Sequence, residues 1–199
     1  MPTVLLVVTE GLLEIPAAMK VFSTLGIDHT ETRFIPKGGK DAFWRDALRY
    51  NQAAVHAGPI LGIADLEQHP CASALIAQFL PHGRHELFVL RVAQRMLESW
   101  LLADRDALAT FLRVPNARVP ADPDDLPNPK QALVNLARQS RNRQIVEDIV
   151  PRVGSQGVVG RGYMSRMTEF IRSSWRPEVA SANSSSLRRA LVALEGAVA

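Results

Sequence analysis

Val4-Leu5-Leu6-Val7-Val8-Thr9-Glu10-Gly11 is a short apolar run, rich in β-branched residues, that ends on an acid and a glycine. The pattern returns twice. Pro59-Ile60-Leu61-Gly62-Ile63-Ala64 is followed by Asp65-Leu66-Glu67, and Leu87-Phe88-Val89-Leu90-Arg91-Val92 is followed by Glu98 and then Asp104. Runs of this length and composition, separated by helical segments, read as buried parallel strands. The carboxyl ends of such strands lie along one edge of a sheet, where open α/β folds place their sites. Carboxylates gathered on that edge repel one another unless a divalent cation neutralises them. Oxygen-only ligands favour magnesium (Mg2+) or manganese (Mn2+) over zinc. The acids therefore predict a metal-dependent phosphoryl-transfer site.

Working outward, residues 3–9 form the first strand and residues 15–25 a helix, with Ile15, Ala18, Met19, Phe22 and Leu25 at helical spacing and Gly26 as its stop. A short strand over 32–35 leads into Pro36-Lys37-Gly38-Gly39-Lys40, after which Asp41 is expected to cap a helix over 42–55. Strands over 59–64 and 87–92 follow, each succeeded by a helix, one from about Cys71 to just before Pro81 and one over 95–103. This alternation predicts an α/β three-layer sandwich with a mostly parallel central sheet. The pattern changes after Leu112. Five prolines (Pro115, Pro120, Pro123, Pro127, Pro129) argue against a long element there, and Pro129 fits the first turn of a helix over 130–139. An irregular glycine-rich loop over 152–163 precedes helices at 165–173 and 186–194. The expected organisation is an α/β core over 1–113 and a helical and loop appendage over 114–199 packed on it.

The 199 residues suit one domain of ordinary size with such an appendage, and a hydrophobic content of 47% supplies a core. No segment approaches the roughly 20 apolar residues of a membrane span. Met1-Pro2-Thr3 lacks the basic stretch and cleavage site of a signal peptide, so a cytoplasmic protein is expected. A single cysteine, Cys71, excludes an internal disulfide and a cysteine-based zinc site. The net charge of +3 is too small to argue for nucleic acid by itself. Its distribution says more: from Lys130 to Arg176 nine basic residues face three acidic ones, a surplus suited to a polyphosphate or nucleic-acid substrate or else a solvated basic surface. Lys130, Arg141 and Arg143 in this stretch, with Lys37 and Lys40, are the candidate phosphate-binding residues.

Each acid has a plainer alternative. Glu10 could be an acid favoured by a helix N-terminus, and Glu14, one turn on, a cap for the first helix. Asp65 and Glu67, at i and i+2, point to one side in extended backbone and suit one hard cation, with Leu66 turned to the core; otherwise they cap the next helix. Glu98 sits in Met96-Leu97-Glu98-Ser99-Trp100-Leu101-Leu102-Ala103, where a charge is costly unless paired or metal-bound, and Arg91 or Arg95 could pair it. Asp104 would lie on another face and fits the N-cap of a helix starting at Arg105. Lys37-Gly38-Gly39-Lys40 offers amides and ammonium groups to phosphate but is no Walker A motif, and a plain turn explains it as well. The five histidines have no paired ligand spacing, though His69 adjoins the acid pair; Cys71 fits helix packing.

The turn Glu10-Gly11-Leu12-Leu13-Glu14 resembles the glutamate motif of Toprim domains, the catalytic modules of topoisomerases, DnaG-type primases and overcoming-lysogenization-defect nucleases. Asp65-Leu66-Glu67 resembles their acidic pair. More closely, the chain resembles a bacterial Toprim-like family, domain of unknown function 4276. That likeness rests on Lys37-Gly38-Gly39-Lys40, Asp65-Leu66-Glu67, Pro127-Asn128-Pro129-Lys130-Gln131-Ala132-Leu133, the Gly160–Tyr163 loop and, above all, Arg91 through Asp104 with its Glu98-Ser99-Trp100-Leu101-Leu102-Ala103-Asp104 stretch. The resemblance implies a Toprim-like fold, magnesium binding and nuclease action on DNA or RNA. It implies Glu10 as general acid/base beside Asp65 as the second catalytic residue, and Glu10, Asp65, Glu67 and Glu98 as metal ligands. It also implies an ATPase partner, as in some phage-defence systems. Glu67 departs from the family's aspartate, with a longer side chain that still reaches a metal. A non-catalytic partner subunit that binds a nucleotide or an ATPase, and an enzyme acting on a small phosphate ester, are the alternatives.

Overall fold

Successive residues of a strand face opposite sides of its sheet, and the two sides of this sheet are both apolar. Val7, Leu61, Ile63 and Val89 are buried on one face, and Val8, Ile60, Ala64, Phe88 and Leu90 on the other. The strands that carry them, in the computed structural model, which describes residues 6–198, are β1 (Leu6–Thr9), β2 (Arg33–Pro36), β3 (Ile60–Asp65) and β4 (Phe88–Ala93). They form one all-parallel open sheet in the order β2-β1-β3-β4. Residues 3–5 of the expected first strand lie outside the described residues.

Helices cover both faces, as a parallel sheet buried on two sides requires, giving an arrangement consistent with the Toprim-like three-layer sandwich expected. On one side lie α2 (Lys40–Ala57) and α3 (Ala72–Phe79), which place Phe43, Trp44, Ala47, Tyr50 and Leu75 against Val8, Ile60 and Phe88. On the other side α1 (Glu14–Leu25), α4 (Glu98–Ala103) and α5 (Arg105–Leu112) share one core with α6 (Pro129–Arg138), α7 (Arg143–Ile149), α8 (Tyr163–Ser173), α9 (Pro177–Ala180) and α10 (Ser185–Val198). The segment after residue 114 is therefore half of a layer. Trp175 and Trp100, both buried, carry the join: the Trp175 Nε1–H donates to the Trp100 carbonyl at 3.1 Å and the Trp100 Nε1–H to Ser186 Oγ at 2.8 Å. Burial of such side chains is worth about 1.5–3 kcal/mol each. Among the described residues no helix is long and apolar enough to cross a membrane.

Several local expectations need correction. Asp41 does not cap α2: the helix begins one residue earlier, behind Gly39, and Asp41 lies in its first turn. The helix expected over 95–103 starts only at Glu98, because Arg95 takes a left-handed φ of 61° and residues 94–97 form an irregular turn. Cys71 is exposed, and its Sγ accepts the Ala74 N–H as the N-cap of α3 instead of packing. Helices α7 and α9 were not foreseen. Arg91, offered as a partner for Glu98, donates instead to the Leu90 carbonyl at 2.6 Å, and Arg84 donates to the Phe88 carbonyl. Both guanidiniums thus cover open carbonyls along edge strand β4, a common defence against edge-to-edge pairing.

Candidate functional site

The site is built at the carboxyl ends of β1, β3 and β4. Glu10 continues β1 by one residue, its N–H donating to the Ile63 carbonyl at 3.0 Å, while the Thr9 hydroxyl bends the chain by donating to the Gly11 carbonyl at 2.6 Å. The Gly39 N–H reaches the Glu10 carbonyl at 2.9 Å and straps the start of α2 onto this turn. Glu10 Oε2 then accepts the Asp65 N–H at 3.2 Å. Asp65 closes β3, and its Oδ1 accepts the Leu97 N–H at 2.8 Å, so the turn after β4 fixes the carboxylate that ends β3. The same turn delivers Glu98 into the first turn of α4, where only 2% of the residue is exposed.

Two residues from the C-terminal half meet Glu98. The Tyr163 hydroxyl donates to Glu98 Oε1 at 2.7 Å, and Lys130 Nζ stands 3.5 Å from the same oxygen. Pro129 at the first helical position, with Asn128 capping the Gln131 N–H at 2.9 Å, sets Lys130 at the start of α6. Tyr163 opens α8 after a loop that presses against α7: the Gly160 N–H donates to the Ile149 carbonyl at 2.8 Å, and a Cβ on Gly160 would overlap the Asp148 carbonyl. Only glycine permits that approach.

Glu14, read from the sequence as a helix cap, belongs to the centre of the site. It is buried at the start of α1, and its Oε2 has no hydrogen-bond partner. Gly11 makes room for it, since a Cβ there would stand 3.2 Å from that oxygen. The signal that singled out Glu98 applied here too: an acid among apolar neighbours, Leu12-Leu13-Glu14-Ile15-Pro16. Tyr163 had no comparable signal.

Glu10, Glu14, Asp65, Glu98, Lys130 and Tyr163 line one cleft of about 380 Å3. Four carboxylates there share one ammonium group. Burial, with the charges of Glu10 and Glu98 behind it, pushes the Glu14 carboxyl up to about 7. Asp65 is pushed well above the usual carboxylate range by burial, then by the charges of Glu14, Glu98 and Glu10. Glu10 is raised by burial, partly offset by the Asp65 N–H. Burial beside the Glu98 carboxylate holds the Tyr163 phenol far above its ordinary value, so it remains a donor. The donor set is all oxygen, the chemistry of a hard cation. As they stand, no three Asp, Glu, His or Cys side chains among the described residues are gathered closely enough to grip an ion.

The other expected residues lie elsewhere. Glu67 has a left-handed φ of 50°, so the extended geometry that would aim it alongside Asp65 does not hold. It pairs with Lys40 at 2.5 Å and lines a second cavity, of about 390 Å3, which shares Asp65 with the cleft. His69 lines that cavity too. Lys37 is engaged by Asp46 at 2.5 Å and is not among the cleft residues, whereas Gly38 and Gly39 of its loop are. Arg141 borders a separate hollow with Arg113 and Pro115, and Arg143 pairs with Glu147 on an exposed face of α7, so neither reaches the acids. No protein-family model, curated protein or solved structure matches this chain.

Proposed function

We propose that the cleft is a magnesium- or manganese-dependent phosphoryl-transfer site on a Toprim-like fold, hydrolysing phosphodiester bonds of DNA or RNA in the cytoplasm. The observation that supports this most is four carboxylates around one ammonium group, with three of them pushed upward by burial and, for Glu14 and Asp65, by the charges of their neighbours in the cleft. Buried like charges of this kind are costly without a compensating cation. Asp65, Glu14 and Glu98 would have to draw together from their present positions to hold the ion, with Glu10 beside them. A divalent cation bound there supplies Lewis-acid stabilisation of charge developing on a phosphoryl oxygen.

The remaining steps fall to the chain's own groups. Glu10 has Oε2 engaged by the Asp65 N–H, so Oε1 is the atom that takes or gives a proton, and its raised pKa brings it nearer the working pH of a general base. Lys130 supplies the positive charge that draws a phosphate into an otherwise acidic cleft. Tyr163 orients Glu98 and keeps one of its oxygens occupied. The non-catalytic reading, a subunit that docks on an ATPase or another protein, has one observation in its favour: Leu12, Val158 and Met164 are exposed apolar residues at the mouth of the cleft.

Labelled single- and double-stranded DNA and RNA, incubated with magnesium and with manganese, separate the readings. Cleavage by the wild type is expected. Glu10→Gln should lower turnover by about 100-fold or more while keeping most metal binding, because it removes proton transfer alone. Asp65→Asn should damage both. Cleavage by Glu10→Gln at the wild-type rate would end the catalytic assignment in favour of the partner subunit.

A further inference from the structure

The second cavity lies on the other side of Asp65, between the carboxyl end of β3 and the two helices α2 and α3. Its volume of about 390 Å3 is within the range of roughly 300–1,000 Å3 typical of small-molecule sites. Its lining is mixed in a specific way. Phe79 forms an aromatic wall, half-buried, with its ring stacked on Trp44 at a centroid distance of 5.0 Å and 26° between planes. Trp44 in turn meets Phe43 edge-on at 5.3 Å, which backs the wall with a second ring. Gln78, which is exposed, Arg45 and His69 also line the cavity. The lining carries no positive surplus: Lys40 is bound to Glu67, Arg45 lies 3.8 Å from Asp46, and Asp41 and Asp65 add two further acids.

We infer that this cavity receives a nucleobase of the substrate strand, next to the phosphate engaged in the acidic cleft. The inference rests on the phosphodiesterase reading of that cleft and names its substrate class: a strand whose base is unpaired. A phosphate would seek a surplus of donors and positive charge, which this cavity lacks. A purely apolar ligand would make no use of Gln78, Arg45 and His69, which line the cavity. A flat, neutral ring with donors and acceptors around its edge answers both walls. Phe79, half-buried at the cavity wall, offers it an aromatic surface to stack on, the usual means by which proteins hold single-stranded nucleic acid without a fixed sequence. The Gln78 amide carries both donors and an acceptor, and Arg45 carries only donors, so the base edge has complementary groups to meet. Asp65 joins the two sites. A phosphate at the cleft side of Asp65 leaves the adjoining base within the neighbouring cavity, and a base seated there cannot remain paired in a duplex.

The backbone around Asp65 favours a fixed partition. Glu67 and Arg95 are both held at positive φ, and they clasp each other: the Glu67 N–H donates to the Arg95 carbonyl at 2.7 Å, and the Arg95 guanidinium returns a bond to the Glu67 carbonyl at 2.8 Å. Non-glycine residues in this conformation persist where the surroundings over-determine them, often at binding sites. The clasp aims the Glu67 side chain at Lys40 and sets their ion pair on the cavity side of Asp65.

The test uses the full chain carrying Glu10→Gln, to prevent turnover, and fluorescence anisotropy with four probes. These are a short mixed-sequence single strand as DNA and as RNA, the same DNA backbone with abasic sites throughout, and the matching duplex. The base-bearing strand should bind about tenfold more tightly than the abasic strand, the scale of one or two stacked bases, and the duplex no better than the abasic strand. Phe79→Leu, which keeps apolar volume but removes the ring, should erase the preference. If that variant loses its fold, Gln78→Ala, an exposed position beside the same wall, should reduce the preference several-fold. Equal affinity for base-bearing and abasic strands, no binding of any strand, or a preference untouched by the variant that folds, would overturn the nucleobase site. The two proposals fail separately. Wild-type protein that cleaves normal and abasic strands equally fast retains the phosphodiesterase reading and loses this one. A strong base preference without cleavage in either metal does the reverse.

Discussion

Two groups of acids sit within this fold, and they are treated in opposite ways. Asp104, at the joint between α4 and α5, is fully buried, yet every demand it makes is met: it accepts the Arg176 N–H at 2.9 Å, two guanidinium bonds at 3.0 and 2.6 Å, and the Ala107 N–H at 3.4 Å. Asp124 is similar, taking the hydroxyls of Ser184 and Ser185 at 2.8 and 3.1 Å and the Ser186 N–H at 3.2 Å. At the sheet edge, Glu10, Glu14, Asp65 and Glu98 share Lys130, and Glu14 Oε2 has no partner at all. Satisfied burial is the mark of a structural acid. Burial that leaves like charges together lowers stability, and it persists where a ligand or a reaction uses it.

The largest effect should come from inverting that contrast. Asp104→Ala removes the cap of α5 and the clamp to Arg176 and should cost about 3 kcal/mol, roughly 10 °C in melting temperature for a chain of this size. The Arg176 side chain is 45% exposed, so its guanidinium can turn to water, which limits the loss. Glu14→Gln should have the opposite sign at neutral pH, because an amide ends the repulsion and donates to the acids around it. The Glu14 carboxyl is raised in the fold from 4.5 to about 7, so the folded chain holds that proton more tightly than the unfolded one. Its contribution is fully present below 4.5 and is lost as pH rises through about 7. Asp65 and Glu10, also raised, push in the same direction. Urea unfolding at acid and neutral pH should therefore find the wild type losing about 3 kcal/mol through Glu14, a loss to which Glu14→Gln is immune. If Glu14→Gln unfolds the chain as Asp104→Ala does, the division between the two groups of acids is wrong.

That division was only partly legible in the sequence. The three apolar runs gave the strands because buried parallel strands require such runs. Asp104 as a cap and Pro129 as a first-turn residue were equally local, as was Gly26, whose φ of 66° ends α1. Glu10, Asp65 and Glu98 reached one cleft because each ends or follows a strand of the same sheet. What stayed hidden depends on distant chain. Arg176 is 72 residues from the acid it clamps, and Tyr163 is 65 from Glu98. The Lys37–Asp46 pair turns on how α2 is rotated, and the misplacement of Glu67 on a single left-handed φ. Charge counting along the chain, which favoured Arg141 and Arg143, carries no information about which face of a helix meets the site.

A smaller effect tests the ligand that the unsatisfied acids await. Millimolar magnesium or manganese, at about ten times its dissociation constant, should stabilise the fold by about 1.4 kcal/mol, a rise of roughly 3–5 °C. Asp65→Ala should abolish the rise and Asp104→Ala should keep it, even from a lower starting temperature. The rise should grow from pH 6 to pH 8, since protons on Glu14 and Asp65 compete with the cation. An equal rise in Asp65→Ala and wild type would place the binding outside the cleft, and the unsatisfied acids would need another explanation.

The smallest expected effect belongs to the basic surface. The Arg143 side chain is 92% exposed and pairs with Glu147 one turn along α7 at 2.7 Å, an arrangement worth under about 0.5 kcal/mol. Arg143→Ala, alone or with Arg141→Ala, should leave the melting temperature nearly unchanged and should not alter turnover on saturating substrate, because neither residue lines the cleft. The two can still act at a distance. If the strand continues over α7, the double variant should flatten the salt dependence of binding by one or two released counterions while sparing the chemistry. Lys130→Ala should do more, since its ammonium group is the positive charge within the cleft, 3.5 Å from Glu98. A double arginine variant that loses cleavage outright, with its fold intact, would move the substrate's main track from the sheet edge to the face of α7 and would require the cleft acids to act on a strand held from outside.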